Sequence, residues 1–157
     1  MRSSKVGPVK VAVAADHAGI ELKAAVCEWL AGHGFAVTDL GPFDTQSVDY
    51  PDYAALVAGG VSRGEFGFGV LVCGTGIGMS IAANKFPGVR AALCLNEFMA
   101  RAARGHNNAN VLCLGARVLE VNAAIGVVAG FFSSGFEGGR HERRVSKIAE
   151  IEKCSAK

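Results

Sequence analysis

Residues 69–85 read GVLVCGTGIGMSIAANK, and this stretch decides the fold. Its first part, 69–73, is a short apolar run rich in β-branched residues, which is typical of a buried strand. Glycines at positions 74, 76 and 78 follow, and the sequence beyond them favours a helix. A strand joined to a helix through a glycine turn is the building unit of α/β proteins, so the segment predicts that class.

The same alternation runs through the whole chain. Five strand-like runs occur: VKVAVAA (9–15), FAVTDLG (35–41), FGVLVC (68–73), VRAALCL (89–95) and NVLCLG (110–115). Helical patterns follow them at 19–34, from Pro51, at 75–85, at 96–105 and at 118–134, and the charged segment 140–154 is also predicted to be helical. We therefore predict one doubly wound α/β domain with a five-stranded parallel sheet. Its limits are placed at 9–151, with 1–8 and 152–157 as terminal extensions.

Composition excludes several classes of function. Of the 157 residues, 50% are hydrophobic and 19% are charged, and the formal net charge is +2. Such a small charge gives no general attraction to nucleic acid or to anionic membranes. No apolar run approaches the roughly 20 residues of a membrane span, and the lead at 1–10 has no apolar signal region. We expect a soluble cytoplasmic protein, with an organelle-targeting role for the lead left open.

The five cysteines indicate a reducing compartment, because their number is odd and no zinc-site spacing occurs. Cys27, Cys94 and Cys113 are predicted to be buried core thiols. Cys73 differs, because it stands at a strand end beside a helix start, a setting that favours a thiolate. It is therefore a candidate base or nucleophile, with a small buried residue as the structural alternative. Thr75 adds a hydroxyl group there or caps the helix.

The glycines after Cys73 do not complete a known nucleotide motif. The dinucleotide fingerprint needs glycine at position 79, where this chain has Met79, and no Lys-Ser/Thr ending of a P-loop follows. Glu97, after the next strand, keeps a nucleotide site open as a ribose-binding acid. The exposed backbone amides at such a helix start can instead stabilise an anion. A plain strand–helix turn is the remaining interpretation.

Other chemistry-bearing residues occur outside the glycine turn, and two of them follow the first strand at its carboxyl end, where ligands bind in such folds. Asp16 suits sugar hydroxyls or helix capping, and His17 suits phosphate or proton transfer. His106, in a predicted loop before the fifth strand, suits proton transfer or is a solvated surface group. Arg140 and Arg144 share one helical face, which suits a phosphate, although a solvated face is the alternative. Aromatic residues do not interleave with these charges, so RNA binding is not expected.

Five segments together resemble the family of ribose-5-phosphate isomerase B and the galactose-6-phosphate isomerase subunits. They are ADHAG (15–19), SVDYPDYA (47–54), GVLVCGTGIGMSIAANKFPGVRAALC (69–94), GHNNANVLCLGAR (105–117) and EGGRHERRV (137–145). The resemblance implies a Rossmann-like three-layer sandwich and a homodimer or dimer of dimers with sites between subunits. It implies no metal and no organic cofactor, and reversible isomerisation of D-ribose 5-phosphate and D-ribulose 5-phosphate through an enediolate.

The resemblance also implies a role for each matching residue. Cys73 would be the base, His106 would open the furanose ring, and Thr75 would assist proton movement between sugar oxygens. The amides of Gly74, Thr75, Gly76, Ile77 and Gly78 would form the anion hole. Sugar oxygens would be contacted by Asp16, Tyr50 and Asn107, and the phosphate would be held by His17, Arg117, Arg140 and Arg144.

Cys73, Thr75 and His106 occur in one chain, which favours a self-sufficient homodimer that needs no second type of subunit. Two alternatives stay open from the sequence. The substrate could be a six-carbon phosphate of allose or galactose, or the chain could be a non-enzymatic module that binds a nucleotide or phosphate. A thiol redox protein is disfavoured, because no resolving cysteine lies near Cys73.

Overall fold

A computed structural model of the chain describes residues 7–156. The first six residues, which make up most of the predicted N-terminal lead, and Lys157 lie outside the described part. The elements are β1 (Lys10–Ala15), α1 (Ile20–Gly32), β2 (Ala36–Asp39), α2 (Tyr50–Ser62), β3 (Phe68–Cys73), α3 (Ile77–Ala83), β4 (Ala91–Leu93), α4 (Glu97–Asn107), β5 (Val111–Gly115), α5 (Val121–Phe132) and α6 (Arg140–Ser155). The predicted alternation of five strands and six helices is confirmed.

All strand pairs are parallel, and the strand order is β2-β1-β3-β5-β4. From β1 the chain first moves outward to β2, and it then returns across β1 to β3. The neighbouring strands β1 and β3 therefore mark a switch point, where the connections leave in opposite directions. Ligands of such sheets bind at the carboxyl ends of the strands beside a switch point. Asp16 follows β1 there, and Cys73 ends β3.

Apolar layers cover both faces of the sheet, as the strand patterns predict. One face packs against α1, α4 and α5 through buried side chains such as Leu30, Ala100 and Phe131. The other face packs against α2 and α3 through Val57 and Met79. Burial of this much aliphatic surface on two faces is the main stabilising contribution to such a sandwich. The fold class is confirmed, while the domain limits at 9 and 151 stay a prediction.

The edge strand β4 is shorter than the predicted run of 89–95. The side chain of Asn84 covers its edge: the Ala91 amide donates to Oδ1 at 2.8 Å, and Nδ2 donates to the Ala91 carbonyl at 2.9 Å. This amide pair imitates a neighbouring strand and blocks further pairing at that position. The amide of Arg90 donates to the side chain of Asn110 at 2.8 Å, so the chain leaves the regular ladder before Ala91.

Helix α6 lies beside this edge and packs against α4. It continues to Ser155, and the amide of Gly88 donates to the Glu152 carboxylate at 3.0 Å. His141 is its one buried residue in the described chain. No helix among residues 7–156 has both the length and the apolar character needed to cross a membrane. All five cysteines are free thiols; Cys94 and Cys113 are buried as predicted, whereas Cys27 is half-buried.

Candidate functional site

The turn between β3 and α3 is built around Gly76. Its φ of +79° lies in the left-handed region, and a Cβ there would be 2.6 Å from the Leu93 side chain and 2.9 Å from the Leu114 backbone. Both conditions require glycine. The turn directs the Gly76 N–H at the sulfur of Cys73, with the two atoms 3.1 Å apart. Cys73 is only 4% exposed, so this backbone N–H is a hydrogen-bond donor to a sulfur that is largely shielded from water.

Two of the five amides predicted for the anion hole are already used within the turn. That of Gly76 donates to the cysteine sulfur, and that of Ile77 donates to the Thr75 hydroxyl oxygen at 3.3 Å. The amides of Gly74, Thr75 and Gly78 have no acceptor within residues 7–156. These three remain free to donate to an anion held above the turn.

Side chains from two other elements flank this turn. The ring of Tyr50, at the start of α2, lies so close to Gly78 that a Cβ there would be 2.5 Å from it. The guanidinium of Arg117, just after β5, lies over Gly74, 3.2 Å from where a Cβ would be. The glycines thus admit a phenol on one side of the turn and a positive charge on the other.

Asp16 and His17 follow β1 at the same edge. The Asp16 carboxylate accepts the Ala18 amide at 2.9 Å, whereas α1 has Gly19 as its N-cap and no side-chain cap, so helix capping by Asp16 is wrong. The Nδ1 atom of His17 accepts the Val48 amide at 3.2 Å. A neutral His17 ring therefore carries its proton on Nε2, which leaves an N–H donor for a phosphate oxygen. We call Asp16, His17, Tyr50, Cys73–Gly78 and Arg117 the carboxyl-edge cluster.

His106 and Asn107 lie in the last turn of α4, so the prediction that His106 belongs to a loop is wrong. Gly105 does not end this helix; the left-handed residue Asn108, with φ of 47°, ends it instead. The start of α6 packs against the same end of α4, because the His141 ring stacks on that of His106. We call His106, Asn107, Glu137, Arg140, His141 and Arg144 the amino-edge cluster.

The two clusters lie at opposite edges of the sheet. Helix α4 begins after the carboxyl end of β4, runs back antiparallel to the strands and ends before β5. Its 11 residues span about 16 Å at the rise of an α-helix. One chain therefore brings Cys73, Thr75, Tyr50 and Arg117 together, but it does not bring His106 to them. Arg140 and Arg144 share the His106 edge through α6.

Three ligand-type side chains meet in the amino-edge cluster. The Nε2 atoms of His106 and His141 lie 3.8 Å and 3.7 Å from the same Glu137 carboxylate oxygen, and all three ligand atoms lie within 4.8 Å of one another. The two imidazole planes are inclined by only 7°. Their in-plane Nε2 lone pairs therefore cannot meet at one metal ion unless a ring turns. Burial lowers the pKa of His141, and the positive groups around it act in the same direction.

Comparison with known proteins identifies the relatives of this chain. The sequence profile of the family described as Ribose/Galactose Isomerase matches residues 11–148. The chain belongs to the ribose/galactose isomerase family. Ribose-5-phosphate isomerase B of Escherichia coli strain K12 is 43% identical, over 91% of this chain and 96% of that protein. The predicted family is thereby confirmed.

Solved structures of this family share the fold. A ribose 5-phosphate isomerase of Thermotoga maritima is 54% identical, with a TM-score of 0.87 over 90% of this chain and 98% of that one. Ribose-5-phosphate isomerase B of Mycoplasma genitalium, solved with ribulose-5-phosphate bound, is 45% identical, with a TM-score of 0.91 over 94% and 98% of the two chains. The Rossmann-like sandwich predicted from the sequence is therefore the fold of these relatives.

Sequence reasoning gave no role to Glu137 or His141, although both lie in the EGGRHERRV segment. The sequence feature that could have indicated them is the glycine pair between them. Gly138 and Gly139 both have positive φ and allow a sharp reversal of the chain. That reversal places a carboxylate and an imidazole on the exposed end of α4. The remaining site residues keep the roles given by the resemblance as proposals.

Proposed function

We propose that this chain interconverts D-ribose 5-phosphate and D-ribulose 5-phosphate in a site formed by two copies of itself. The observation that carries the proposal is the separation of the two clusters. A buried cysteine with three free amides lies at one edge of the sheet, and a histidine with two arginines lies at the other. Each cluster alone lacks a part of the chemistry, and the family relatives supply the name of the reaction.

Cys73 is the proposed base. Its thiolate takes the proton from C2 of the open aldose, which leaves an enediolate, and the same proton returns to C1 to give the ketose. A single group can serve both carbons because they are adjacent, and proton transfer by a positioned side chain contributes about 10²–10⁴-fold in rate. The Gly76 N–H at 3.1 Å stabilises the thiolate before the first transfer and after the second. The Thr75 hydroxyl would assist proton movement between the sugar oxygens.

The free amides of Gly74, Thr75 and Gly78 are the proposed anion hole. They are fixed by the turn before substrate arrives, so they need no reorganisation when charge develops on the enediolate oxygens. Loss of one such donor typically costs about 10²–10³ in rate. Asp16 and Tyr50 would bind the sugar hydroxyls next to this turn.

The phosphate would be held from both sides of the shared site. His17 offers its Nε2–H, and Arg117 offers a planar guanidinium from the same copy. Arg140 and Arg144 of the second copy would complete the pocket, with Asn107 on a sugar oxygen and His106 on the furanose ring. Binding energy from a phosphate far from the reacting carbons positions the open chain for reaction.

Exposed apolar side chains beside each cluster support a second copy. Ile77, at the amide turn, is 52% exposed, Ile81 on α3 is 60% exposed, and Phe98, which lines the cavity around His106, is 78% exposed. Apolar surface of this kind next to functional groups is typical of a protein interface. We propose a homodimer or a dimer of dimers, and we further propose that it works in the cytoplasm, where five free thiols persist.

The first test is isomerisation by the purified chain. Wild type should form ribulose 5-phosphate from ribose 5-phosphate without added metal or cofactor, and Cys73→Ala should lose turnover by roughly 10³-fold or more. Binding of inorganic phosphate, measured by calorimetry, should survive in this variant because its ligands lie elsewhere. Near-normal turnover by Cys73→Ala would contradict the assignment of the base. A comparison of kcat/KM on ribose 5-phosphate and allose 6-phosphate would fix the chain length of the substrate.

A further inference from the structure

We propose that Glu137 and His141 are positioning residues for His106. The Glu137 carboxylate stabilises the charged imidazolium of His106, and the His141 ring holds the plane of that imidazole. The inference rests on the proposed function, in which His106 opens the furanose ring. It gives the EGGRH segment a catalytic purpose beyond holding phosphate.

The stack between the two histidines fixes the orientation of His106. The ring centroids are 4.3 Å apart and the planes are inclined by 7°, which is a face-to-face contact. The His141 side chain is 9% exposed, whereas that of His106 is 44% exposed. A buried ring therefore supports a solvent-accessible one. Without this support the exposed imidazole would be free to rotate about its side-chain torsions.

A backbone hydrogen bond fixes the position of Glu137, and the absence of a side chain at Gly105 leaves room for its carboxylate. Its amide donates to the carbonyl of Gly105, in the last turn of α4, at 3.0 Å. A Cβ at Gly105 would be 2.8 Å from a Glu137 carboxylate oxygen, so only glycine admits the carboxylate there. The distance of 3.8 Å from Glu137 to Nε2 of His106 is too long for a hydrogen bond but short for a charge interaction. Protonation of His106 converts this proximity into an ion pair.

The Glu137 carboxylate lies at nearly equal distances from the two rings, and their surroundings differ. His141 is buried, its pKa is lowered by that burial, and the nearby charges of Arg140 and Arg144 lower it further. Burial of the His141 ring therefore disfavours its charged form. A positive charge on the more exposed ring of His106 needs less desolvation, so we infer that Glu137 pairs with that ring.

The assigned step balances without any further reactant. As the furanose opens, the C1–O4 bond breaks with its electron pair on O4, and O4 takes a proton from the His106 imidazolium. The O1 hydroxyl loses its proton as C1–O1 becomes the aldehyde, and that proton recharges His106. Glu137 lowers the energy of the His106 imidazolium at the start and at the end of the cycle. His141 keeps the N–H of His106 directed at O4.

Conservative variants separate the charge of Glu137 from its bulk. Glu137→Gln keeps the size and loses the charge, and it should lower conversion of ribose 5-phosphate by about 10- to 100-fold. Gly105→Ala keeps every titratable group but displaces the carboxylate, so it should lower conversion without loss of stability. Glu142→Gln, which removes an exposed acid from the first turn of α6, is the matched control and should convert ribose 5-phosphate like wild type.

Two variants separate the ring of His141 from its nitrogen atoms. His141→Phe keeps a flat ring for the stack and should retain most of the conversion. His141→Ala removes the support and should lower conversion by about 10-fold. The melting temperature of each variant shows that folding is intact at the assay temperature. Rescue by phenylalanine is not expected if the nitrogen atoms of His141 bind phosphate.

Deuterium exchange distinguishes ring opening from proton abstraction. Ribulose 5-phosphate cannot form a furanose, because its O5 carries the phosphate, so incorporation of solvent deuterium at C1 needs Cys73 but not ring opening. Glu137→Gln and His141→Ala should keep this exchange, followed by NMR, while they lose conversion. Equal loss of exchange and conversion, or conversion at the wild-type rate in Glu137→Gln, would overturn the inference. Full exchange by Cys73→Ala would instead refute the assignment of Cys73 as the base, and no conversion by wild type would refute the proposed function itself.

Discussion

The sulfur of Cys73 accepts the N–H of Gly76 at 3.1 Å, across a turn that only glycine can form. This contact links the backbone geometry of the turn to the proposed chemistry. The donor is fixed by the positive φ of Gly76 and by the close approach of Leu114. The proposed thiolate would therefore accept a hydrogen bond from the backbone of the turn itself.

Substitution of Gly76 should lower the stability of the fold. Gly76→Ala has to place a Cβ 2.9 Å from backbone, so we expect it to lower the free energy of unfolding by about 3 kcal/mol. Gly64→Ala is the control, because Gly64 has φ of +76° but open space around it and should lose only about 1 kcal/mol. Urea denaturation measures the free energy of unfolding of both variants. Equal losses would mean that close packing around Gly76 is unimportant.

Gly78 and Tyr50 should be energetically coupled in catalysis. Gly78→Ala pushes the Tyr50 ring away from the amide turn, and we expect kcat/KM to fall by about 10-fold through a higher KM. In a Tyr50→Ala background the same change should have little further effect, because the displaced group is already gone. A double-mutant cycle on kcat/KM measures the coupling. Additive effects of the two changes would contradict a direct contact.

The rate of alkylation should be higher for the exposed cysteine than for the buried ones. Burial raises the pKa of Cys27 to about 11, with the Asp39 carboxylate adding to it, and burial alone raises the pKa of Cys94 to about 11. A raised thiol pKa leaves little thiolate at pH 8, so iodoacetamide should modify the exposed Cys154 well before either of them. Mass spectrometry of timed samples measures this order, with Cys154→Ser as control. Labelling of Cys27 or Cys94 as fast as Cys154 would be inconsistent with their burial.

The sequence predicted where most of the strands end, because strand periodicity is local. Each apolar run fixes where a strand ends, and parallel strands place those ends at one edge, which brings Asp16 and Cys73 together. It could not predict the strand order or the separation of His106 from Cys73, because both depend on long-range pairing. The predicted helical pattern of 96–105 ended at Gly105, whereas α4 continues to Asn107. The absence of a side chain at Gly105 instead leaves room for Glu137. The stack of His141 on His106 likewise depends on how α6 meets α4.

Acid should destabilise the folded chain through His141. Its pKa is lowered by burial and by the charges of His106, Arg140 and Arg144, while Glu137 opposes them. The unfolded chain therefore binds a proton that the folded chain resists, so stability should fall as the pH drops below about 6.5. His141→Phe should remove this part of the slope. Urea midpoints between pH 7.5 and pH 5 measure it, and an unchanged slope in the variant would contradict the prediction.

The central claim is that Cys73 and His106 of different copies share one site. Cys73→Ala and His106→Asn should each be nearly inactive alone as homodimers. The two variants are combined in equal amounts, dissociated and reassociated, so that half of the dimers contain one copy of each. Each such heterodimer has one site with both residues intact. Isomerisation should then recover to about a quarter of the wild-type rate per site. If the mixture stays as inactive as its parents after subunit exchange has been verified, each site is built from a single chain, and the account is wrong.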